Sequence, residues 1–99
     1  MAFDADTYKE TTRTQWQEAA AAWHKWGPTL EAWLGEATER MLDLAGVRDG
    51  SRVLDVAAGA GGEAQAAARR GATVLATDIS DAILGYIGGP NITTRTMDA

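Results

Sequence analysis

The first half of the chain carries apolar residues at helical spacing. Over residues 12–26, apolar side chains recur at i, i+3, i+4, i+7 and i+10, which places them on one face of a predicted helix. This face comprises Trp16, Ala19, Ala20, Trp23 and Trp26. Residues 1–10 are polar and are predicted to be frayed, apart from Phe3 and Tyr8, which are expected to pack. Gly27-Pro28 is predicted to end the helix. The large indole rings on this face are expected to pack in the core. The alternative is that one or two of the tryptophans line a ligand site, where the face of the ring could meet a cation or an adenine ring.

A second helix is predicted directly afterwards, with Thr29 as its cap and Gly46 closing it. Its apolar face comprises Leu30, Trp33, Leu34, Ala37, Met41 and Leu44. The charged residues of the opposite face, which are expected to be solvated, are Glu31, Glu36, Glu39, Arg40 and Asp43. The two helices together are predicted to form a tryptophan-rich lid over the rest of the fold.

The second half of the chain alternates short apolar runs with helical segments. Strands are predicted at 52–57, 73–78 and 92–97, and helices at 63–70 and 80–87. Because strand–helix–strand connections are right-handed, the strands are expected to form a parallel sheet in the order 3-2-1. The predicted fold class is therefore α/β: half of a doubly wound, Rossmann-like sheet with two N-terminal helices.

The length of 99 residues predicts a single domain, 1–99, with a helical segment at 1–48 and a β-α-β-α-β half at 51–99. The order 3-2-1 leaves the first strand at the edge of the sheet. That strand is apolar on both faces, and an exposed strand of this kind pairs readily with another chain. Either the tryptophan helices cover it, or the chain forms a homodimer through the first strand or through the N-terminal helices.

Composition narrows the class of partner. The net charge of −5 disfavours nucleic acid and anionic membrane, because both require a basic face. The chain has no cysteine, no apolar run of membrane-spanning length and an acidic N-terminus unlike a signal peptide, so the expected location is the cytoplasm. No metal site is predicted. The single histidine, His24, is expected at the surface, and no catalytic residue is assigned.

A glycine-rich turn joins the first strand to its helix. The run VLDVAAGAGGEA places Gly59, Gly61 and Gly62 between a buried strand and a helix N-terminus, where backbone N–H groups bind nucleotide-like ligands. Sixteen residues after Gly62, the second strand ends in Asp78, which is placed to accept hydrogen bonds from ribose hydroxyls. These two signals predict an adenosine-containing ligand.

Asp55 distinguishes between two ligands of this kind. The spacing of Gly59, Gly61 and Ala64 matches the G-x-G-x-x-A pattern of NAD-type nucleotide binders. Asp55, however, lies within the first strand, where its carboxylate would repel a pyrophosphate and attract an ammonium group. A ligand that carries an ammonium group is favoured, and the NAD-type binder remains an alternative.

These motifs resemble those of the class I S-adenosylmethionine-dependent methyltransferases of the ubiquinone/menaquinone-biosynthesis-like, or type 11, group. VLDVAAGAGG corresponds to the first motif, with Ala57 where many members carry a glycine, and ATDIS and TRTMDA correspond to the next two strand ends. The resemblance covers residues 7–99 and implies S-adenosylmethionine as cofactor. The implied cofactor-binding residues are Asp55, Ala57, Gly59, Ala60, Gly61, Asp78, Ile79, Asp98 and Ala99.

The resemblance also implies a role for each acid: Asp55 holds the ammonium group, Asp78 the ribose, and Asp98 with the Ala99 backbone the adenine edge. Complete members continue for three or four more strands, which build the methyl-acceptor pocket, and their helix after the second strand is longer. The expected function is therefore binding of S-adenosylmethionine or S-adenosylhomocysteine, with residual methyl transfer to a small molecule as a further hypothesis. The alternative is a non-catalytic, truncated or engineered fragment that folds and self-associates.

Overall fold

The computed structural model describes residues 2–99; Met1 lies outside the described residues. The first helix, α1, spans Ala5–Lys25, so the prediction of a frayed N-terminal segment is wrong from Ala5 onward. Asp4 caps the helix by accepting hydrogen bonds from the backbone N–H groups of Asp6 and Thr7, at 3.1 and 3.2 Å. The rings of Phe3 and Tyr8 pack across this helix start with their centroids 5.5 Å apart. The cap and this contact explain the early start.

The second helix, α2, spans Gly27–Leu44 and follows α1 after a single residue, Trp26. Gly27-Pro28 does end α1, as predicted, but the predicted cap at Thr29 is wrong because α2 has already begun there. Pro28 lies in the first turn of α2, where its missing N–H leaves no helical hydrogen bond unmade. The two helices are therefore joined by a bend and not by a loop.

The sheet contains β1 (Arg52–Val56), β2 (Thr73–Asp78) and β3 (Ile92–Thr96). All pairings are parallel and the order is β1-β2-β3, with Leu54 opposite Leu75 and Leu75 opposite Thr93. The prediction of a half Rossmann-like α/β fold is confirmed. The crossover helices are α3 (Gly62–Arg69) and α4 (Asp81–Leu84). Helix α4 is shorter than the predicted helix 80–87. The backbone N–H groups of Tyr86 and Ile87 donate to carbonyls three residues back, and this tighter turn ends the α-helix.

Small side chains form the core beneath α3. Its buried members are Leu42, Ala58, Ala64, Ala66, Ala67, Ala72, Val74, Ala76, Leu84 and Ile87. The expectation that the tryptophans form the core is wrong, since all four are classed as exposed, from 38% for Trp23 to 77% for Trp33. Alanine packing lets α3 approach the sheet closely and leaves little room for indole rings.

The second helix docks through its charged face. Arg70, the residue that follows α3, binds Glu39 and Asp43 at 2.8 and 2.9 Å, and Arg69, the last residue of α3, binds Glu31 at 3.3 Å. These three acids remain about half exposed, as predicted for a solvated face, but the same face also carries the ion pairs that hold α2 in place. The predicted apolar face of α2 points largely outward, because α2 packs against α1 and α3 and against no strand.

The edge strand is uncovered in the described residues. Leu54 and Val56 are 60% and 50% exposed, and neither α1 nor α2 packs against β1. Internal cover by the tryptophan helices, one of the two alternatives drawn from the sequence, is therefore absent from residues 2–99. In the same residues, no helix combines the length and the apolar character needed to cross a bilayer.

Candidate functional site

The loop between β1 and α3, residues 57–61, has an unusual backbone and is referred to as the glycine loop. Ala57, Gly59 and Gly61 all adopt positive φ values, of 56°, 58° and 90°. At Gly61 a Cβ atom would lie 2.8 Å from Cγ1 of Ile87, so only glycine fits. At Ala57 the same left-handed region is occupied by an L-residue, at a cost of roughly 1–2 kcal/mol. The loop is thus held in a strained shape that exposes its backbone at the carboxyl end of β1.

Asp78 ties the end of β2 to this loop. Its Oδ2 accepts a hydrogen bond from the Gly59 N–H and its Oδ1 accepts one from the Ser80 N–H, both at 3.0 Å. The side chain is only 9% exposed. Asp78 therefore sets the position of the glycine loop relative to the second strand.

Asp55 is the least satisfied polar side chain of the site. It lies in β1 directly before the loop, and in residues 2–99 its Oδ2 is a buried side-chain oxygen that lacks a hydrogen-bond partner. Burial raises the pKa of Asp55 to about 6, with smaller contributions from the negative charges of Glu63 and Asp78. An uncompensated carboxylate next to a strained glycine loop is suited to receive a cationic group.

Gln17 of α1 binds the turn that follows Asp78. Its amide oxygen accepts hydrogen bonds from the Ala82 N–H, at 2.9 Å, and from the Ser80 hydroxyl, while its amide nitrogen donates to Asp81. The Ser80 hydroxyl in turn caps α4 by accepting a hydrogen bond from the Ile83 N–H. A continuous network thus runs from α1 through Ser80 and Asp78 to the glycine loop.

A large cavity of about 780 Å³ lies between the N-terminal helices and the glycine loop. The helices contribute Trp16, Trp23, His24, Glu31 and Trp33, and the loop contributes Ala57, Ala58, Gly59 and Ala60. Tyr86, from the segment after α4, completes this wall. Its volume is within the range of small-molecule sites.

A small cavity of about 310 Å³ lies further towards the start of α1. Ile79, Thr96, Met97 and Asp98 line it on the sheet side. Asp98 is held there by Lys9 of α1, with a distance of 2.6 Å between Nζ and Oδ2.

Five of the nine cofactor-binding residues predicted from the sequence line one of the two cavities. Ala57, Gly59 and Ala60 line the large cavity, and Ile79 and Asp98 line the small one. The remaining four, Asp55, Gly61, Asp78 and Ala99, line neither. Asp55, Gly61 and Asp78 belong to the strand ends and loop that shape the site, and Ala99 is exposed at the last position.

Sequence reasoning missed two residues of the site. Gln17 is 63 positions from Ser80, and no local pattern links a glutamine on a helix to a distant serine. Tyr86 stacks on His24 with ring centroids 4.1 Å apart and planes 9° apart. Both contacts depend on where α1 crosses the sheet, which the periodicity of α1 alone does not determine.

Neither a protein-family model nor a curated protein sequence matches this chain. Among solved structures, the chain is similar to a protein from Anabaena variabilis ATCC 29413 that is provisionally assigned as a methyltransferase of an antibiotic biosynthesis pathway. The match has 25% identity and a TM-score of 0.58, and it covers 63% of this chain. It covers 26% of the other chain, so this chain corresponds to about a quarter of that protein. The chain has a class I methyltransferase-like fold.

Proposed function

We propose that this chain binds S-adenosylmethionine and S-adenosylhomocysteine at the glycine loop. The observation that carries the proposal is the unpartnered, buried Oδ2 of Asp55 beside that loop. Both ligands contain an ammonium group, which can donate to this oxygen and offset its negative charge. NAD has no such group in its pyrophosphate region, and its phosphates would meet the carboxylate instead.

The glycine loop and the start of α3 are also suited to the carboxylate of the ligand's amino acid end. Helix α3 begins after Gly61 without a capping side chain, so its first backbone N–H groups are suited to a carboxylate. Nothing lies within 4 Å of the Cβ position of Gly59 or Gly62, so a ligand can approach the backbone there. Ammonium and carboxylate would therefore be bound by adjacent parts of one loop.

Asp78 and Asp98 are proposed to bind the nucleoside. The oxygens of Asp78 already accept two backbone hydrogen bonds, but each carboxylate oxygen can accept a second, so ribose hydroxyls can be added. Asp98, together with Ile79 and the Ala99 backbone, would contact adenine from the small cavity. For Oδ2 of Asp98 to contribute, Lys9 has to move, which is inexpensive for an exposed ion pair.

Binding is tested by titrating the protein with S-adenosylhomocysteine and, separately, with NAD, following backbone amide shifts in the glycine loop and calorimetric heats. We expect S-adenosylhomocysteine to bind with a Kd of about micromolar to millimolar, since this chain spans only about a quarter of the length of the methyltransferase-like structure that it matches. Shifts in residues 57–62 with NAD and none with S-adenosylhomocysteine would contradict the proposal.

Asp55→Asn is the decisive variant. Removing the charge that faces the ammonium group is expected to weaken S-adenosylhomocysteine binding by about tenfold. The control is Glu36→Gln, which removes one negative charge from an exposed position of α2 and should leave the affinity unchanged. Equal losses in both variants would indicate a general effect of net charge.

Methyl transfer is proposed only as a residual activity on a small acceptor. When bound, S-adenosylmethionine supplies an electrophilic methyl group, and positioning of the acceptor provides most of the rate. The contribution of this chain would be to hold the cofactor at the glycine loop and to admit an acceptor through the large cavity.

A second candidate function, self-association without catalysis, is favoured by the uncovered edge of β1. An exposed strand with Leu54 and Val56 on its surface offers unpaired backbone groups to a second copy of the chain. Sedimentation equilibrium over a wide concentration range tests this: we expect a homodimer that dissociates on dilution. A monomer mass throughout would contradict it, and Leu54→Lys is expected to shift a dimer towards monomer.

A further inference from the structure

The large cavity has one wall made of aromatic rings. Trp16 and Trp23 form a tilted pair with centroids 5.6 Å apart and planes at 43°. His24 and Tyr86 form a stacked pair with centroids 4.1 Å apart. These four residues, all of which line the cavity, are referred to as the aromatic wall.

The rings of the wall are only partly used in packing. Trp16, Trp23 and Tyr86 remain 39%, 38% and 41% exposed, although each contacts another ring. Half-exposed aromatic rings that border a cavity keep apolar faces available for stacking with a ligand. The wall therefore presents rigid, flat surface to the cavity.

The lining contributed by the glycine loop and α3 is different in kind. It includes Ala57, Ala58, Gly59, Ala60, Gly62 and Ala66, which carry a methyl group or no side chain. The same side of the cavity also carries the longer side chains of Glu63, Gln65 and Arg69. The flat surface of the cavity is therefore on the aromatic side, and aromatic rings stack on a planar molecule better than on a bulky or branched one.

Charge around the cavity disfavours an anion. The lining includes the acids Glu31, Glu39 and Glu63 and the bases Lys25 and Arg69. Both bases are already engaged, Arg69 with Glu31 and Lys25 with the ring of Trp26. An incoming anion would have to compete for these bases, whereas a neutral or cationic molecule would not.

We propose that the aromatic wall forms a second binding site, for a planar aromatic molecule without negative charge, beside the glycine loop that would hold the cofactor. Given the proposed function, on which this step rests, the molecule is the methyl acceptor. The site is separate from the predicted adenine position, because Ile79 and Asp98 line the small cavity and not the large one.

The test uses three compounds with the same ring and different charge: indole, tryptamine and indole-3-acetate. Each is added to ¹⁵N-labelled protein, and the four indole N–H resonances of the protein are followed after assignment by single Trp→Phe variants. We expect tryptamine and indole to shift the Trp16 and Trp23 resonances, and indole-3-acetate to bind at least about threefold more weakly than tryptamine. Trp26 does not line the cavity and serves as the internal control.

Two matched variants locate the site. Trp23→Leu removes a ring of the wall and is expected to weaken tryptamine binding by about three- to tenfold. Trp26→Leu removes an exposed tryptophan of the same helix end and should change the affinity by less than about twofold. Equal shifts of all four indole resonances, or equal effects of the two variants, would overturn the proposal.

A final titration separates this inference from the proposed function. Tryptamine is added to protein saturated with S-adenosylhomocysteine, and a ternary complex with an unchanged tryptamine affinity is expected. Displacement of tryptamine would assign the wall to the cofactor's adenine and overturn the second site. Binding of S-adenosylhomocysteine without any tryptamine binding overturns only the second site. Tryptamine binding without S-adenosylhomocysteine binding overturns the proposed function, and with it the role of the planar molecule as methyl acceptor.

Discussion

Two regions of this protein distribute polar and apolar groups in opposite ways. At the carboxyl edge of the sheet, where α1 crosses, polar groups are buried: Ser80 is fully buried, Asp78 nearly so, and Asp55 holds a buried oxygen without a partner. In a second region, called the outer side and comprising β1 and the apolar residues of α2 outside the large cavity, Leu54, Met41 and Leu44 are 60%, 48% and 75% exposed. Buried polar groups and exposed apolar ones both lower stability unless something binds them.

The two regions consequently point to different kinds of partner. The carboxyl edge offers charge, hydrogen-bond acceptors and an open backbone, which suit a small polar ligand. The outer side offers an apolar helix face and an unpaired strand, which suit another polypeptide. Polar contacts hold each of the two N-terminal helices. Helix α1 is held through Gln17, and α2 is held through Arg69 and Arg70 at the end of α3.

The largest effect is expected from Gln17→Leu, which breaks the carboxyl edge. Leucine leaves the buried Ser80 hydroxyl and the Ala82 N–H without their partner on α1. The free energy of unfolding should fall by about 2–3 kcal/mol, measured by urea denaturation. Hydrogen exchange should also accelerate at Ser80 and Gly59, the two amides that bind Asp78.

The control is Gln15→Leu, which changes an exposed glutamine of the same helix. It is expected to alter stability by no more than about 0.5 kcal/mol. A comparable loss in both variants would show that the helix surface, and not the contact with the Ser80 turn, is responsible.

The next effect concerns the outer side. Arg70→Met removes the contacts of Arg70 with Glu39, Asp43 and the Val47 carbonyl. Because the side chain of Arg70 is 21% exposed and has three partners, the loss of stability should clearly exceed that of a single exposed ion pair. Arg69→Met is the control, since it removes one exposed pair at 3.3 Å and should cost at most about 0.5 kcal/mol. Thermal unfolding of both variants measures the difference; equal effects would mean that Arg70 does not anchor α2.

These helix attachments mark the limit of what the sequence could predict. The three strands, their order and the glycine loop follow from local signals, since apolar runs and glycines report strand and turn directly. The docking face of α2 does not follow from local signals. Its stripe of Trp33, Met41 and Leu44 predicts burial, but burial requires a neighbouring surface, and within residues 2–99 these side chains remain 48–77% exposed.

The site shows the same division. Asp55 and Asp78 could be identified because each occupies a fixed place relative to the end of its strand. The pairing of Lys9 with Asp98 and of His24 with Tyr86 could not, because both depend on the path of α1 across the sheet. Periodicity defines the faces of a helix but does not fix its crossing position.

Ionisation of Asp55 makes the stability of the fold depend on pH, and this effect arises at the carboxyl edge. Its pKa is raised to about 6 in the folded protein, from about 3.8, so between these values the folded state holds a proton that the unfolded state has released. Stability therefore falls as pH rises from about 4 to 6 and stays lower above that range. Asp55→Asn should remove this fall and stabilise the protein by about 1 kcal/mol at pH 7, a figure reduced by partial exposure of the side chain.

The comparison is made by chemical denaturation at pH 4 and pH 7. The gain of Asp55→Asn should be present at pH 7 and small at pH 4, which is so close to the unfolded pKa of about 3.8 that little of the fall in stability has occurred. Since the same substitution is expected to weaken S-adenosylhomocysteine binding, stability and affinity should change in opposite directions. An equal gain at both pH values would mean that the charge of Asp55 is not what lowers stability.

The smallest expected effect tests the backbone of the glycine loop. Ala57 adopts φ 56° at a position where many of the methyltransferases that the chain resembles carry a glycine. Ala57→Gly removes a strain of roughly 1–2 kcal/mol, while the greater freedom of glycine in the unfolded chain costs about 0.4–1 kcal/mol. A net gain of about 0.5–1 kcal/mol in the free energy of unfolding should remain.

The control is Ala60→Gly, three residues further along the same loop. Ala60 has no positive φ and therefore no strain to relieve, so this substitution should lower the free energy of unfolding by about 0.5 kcal/mol. Urea denaturation of the two variants should therefore give changes of opposite sign, and a loss at both positions would show that the left-handed backbone at Ala57 is not strained.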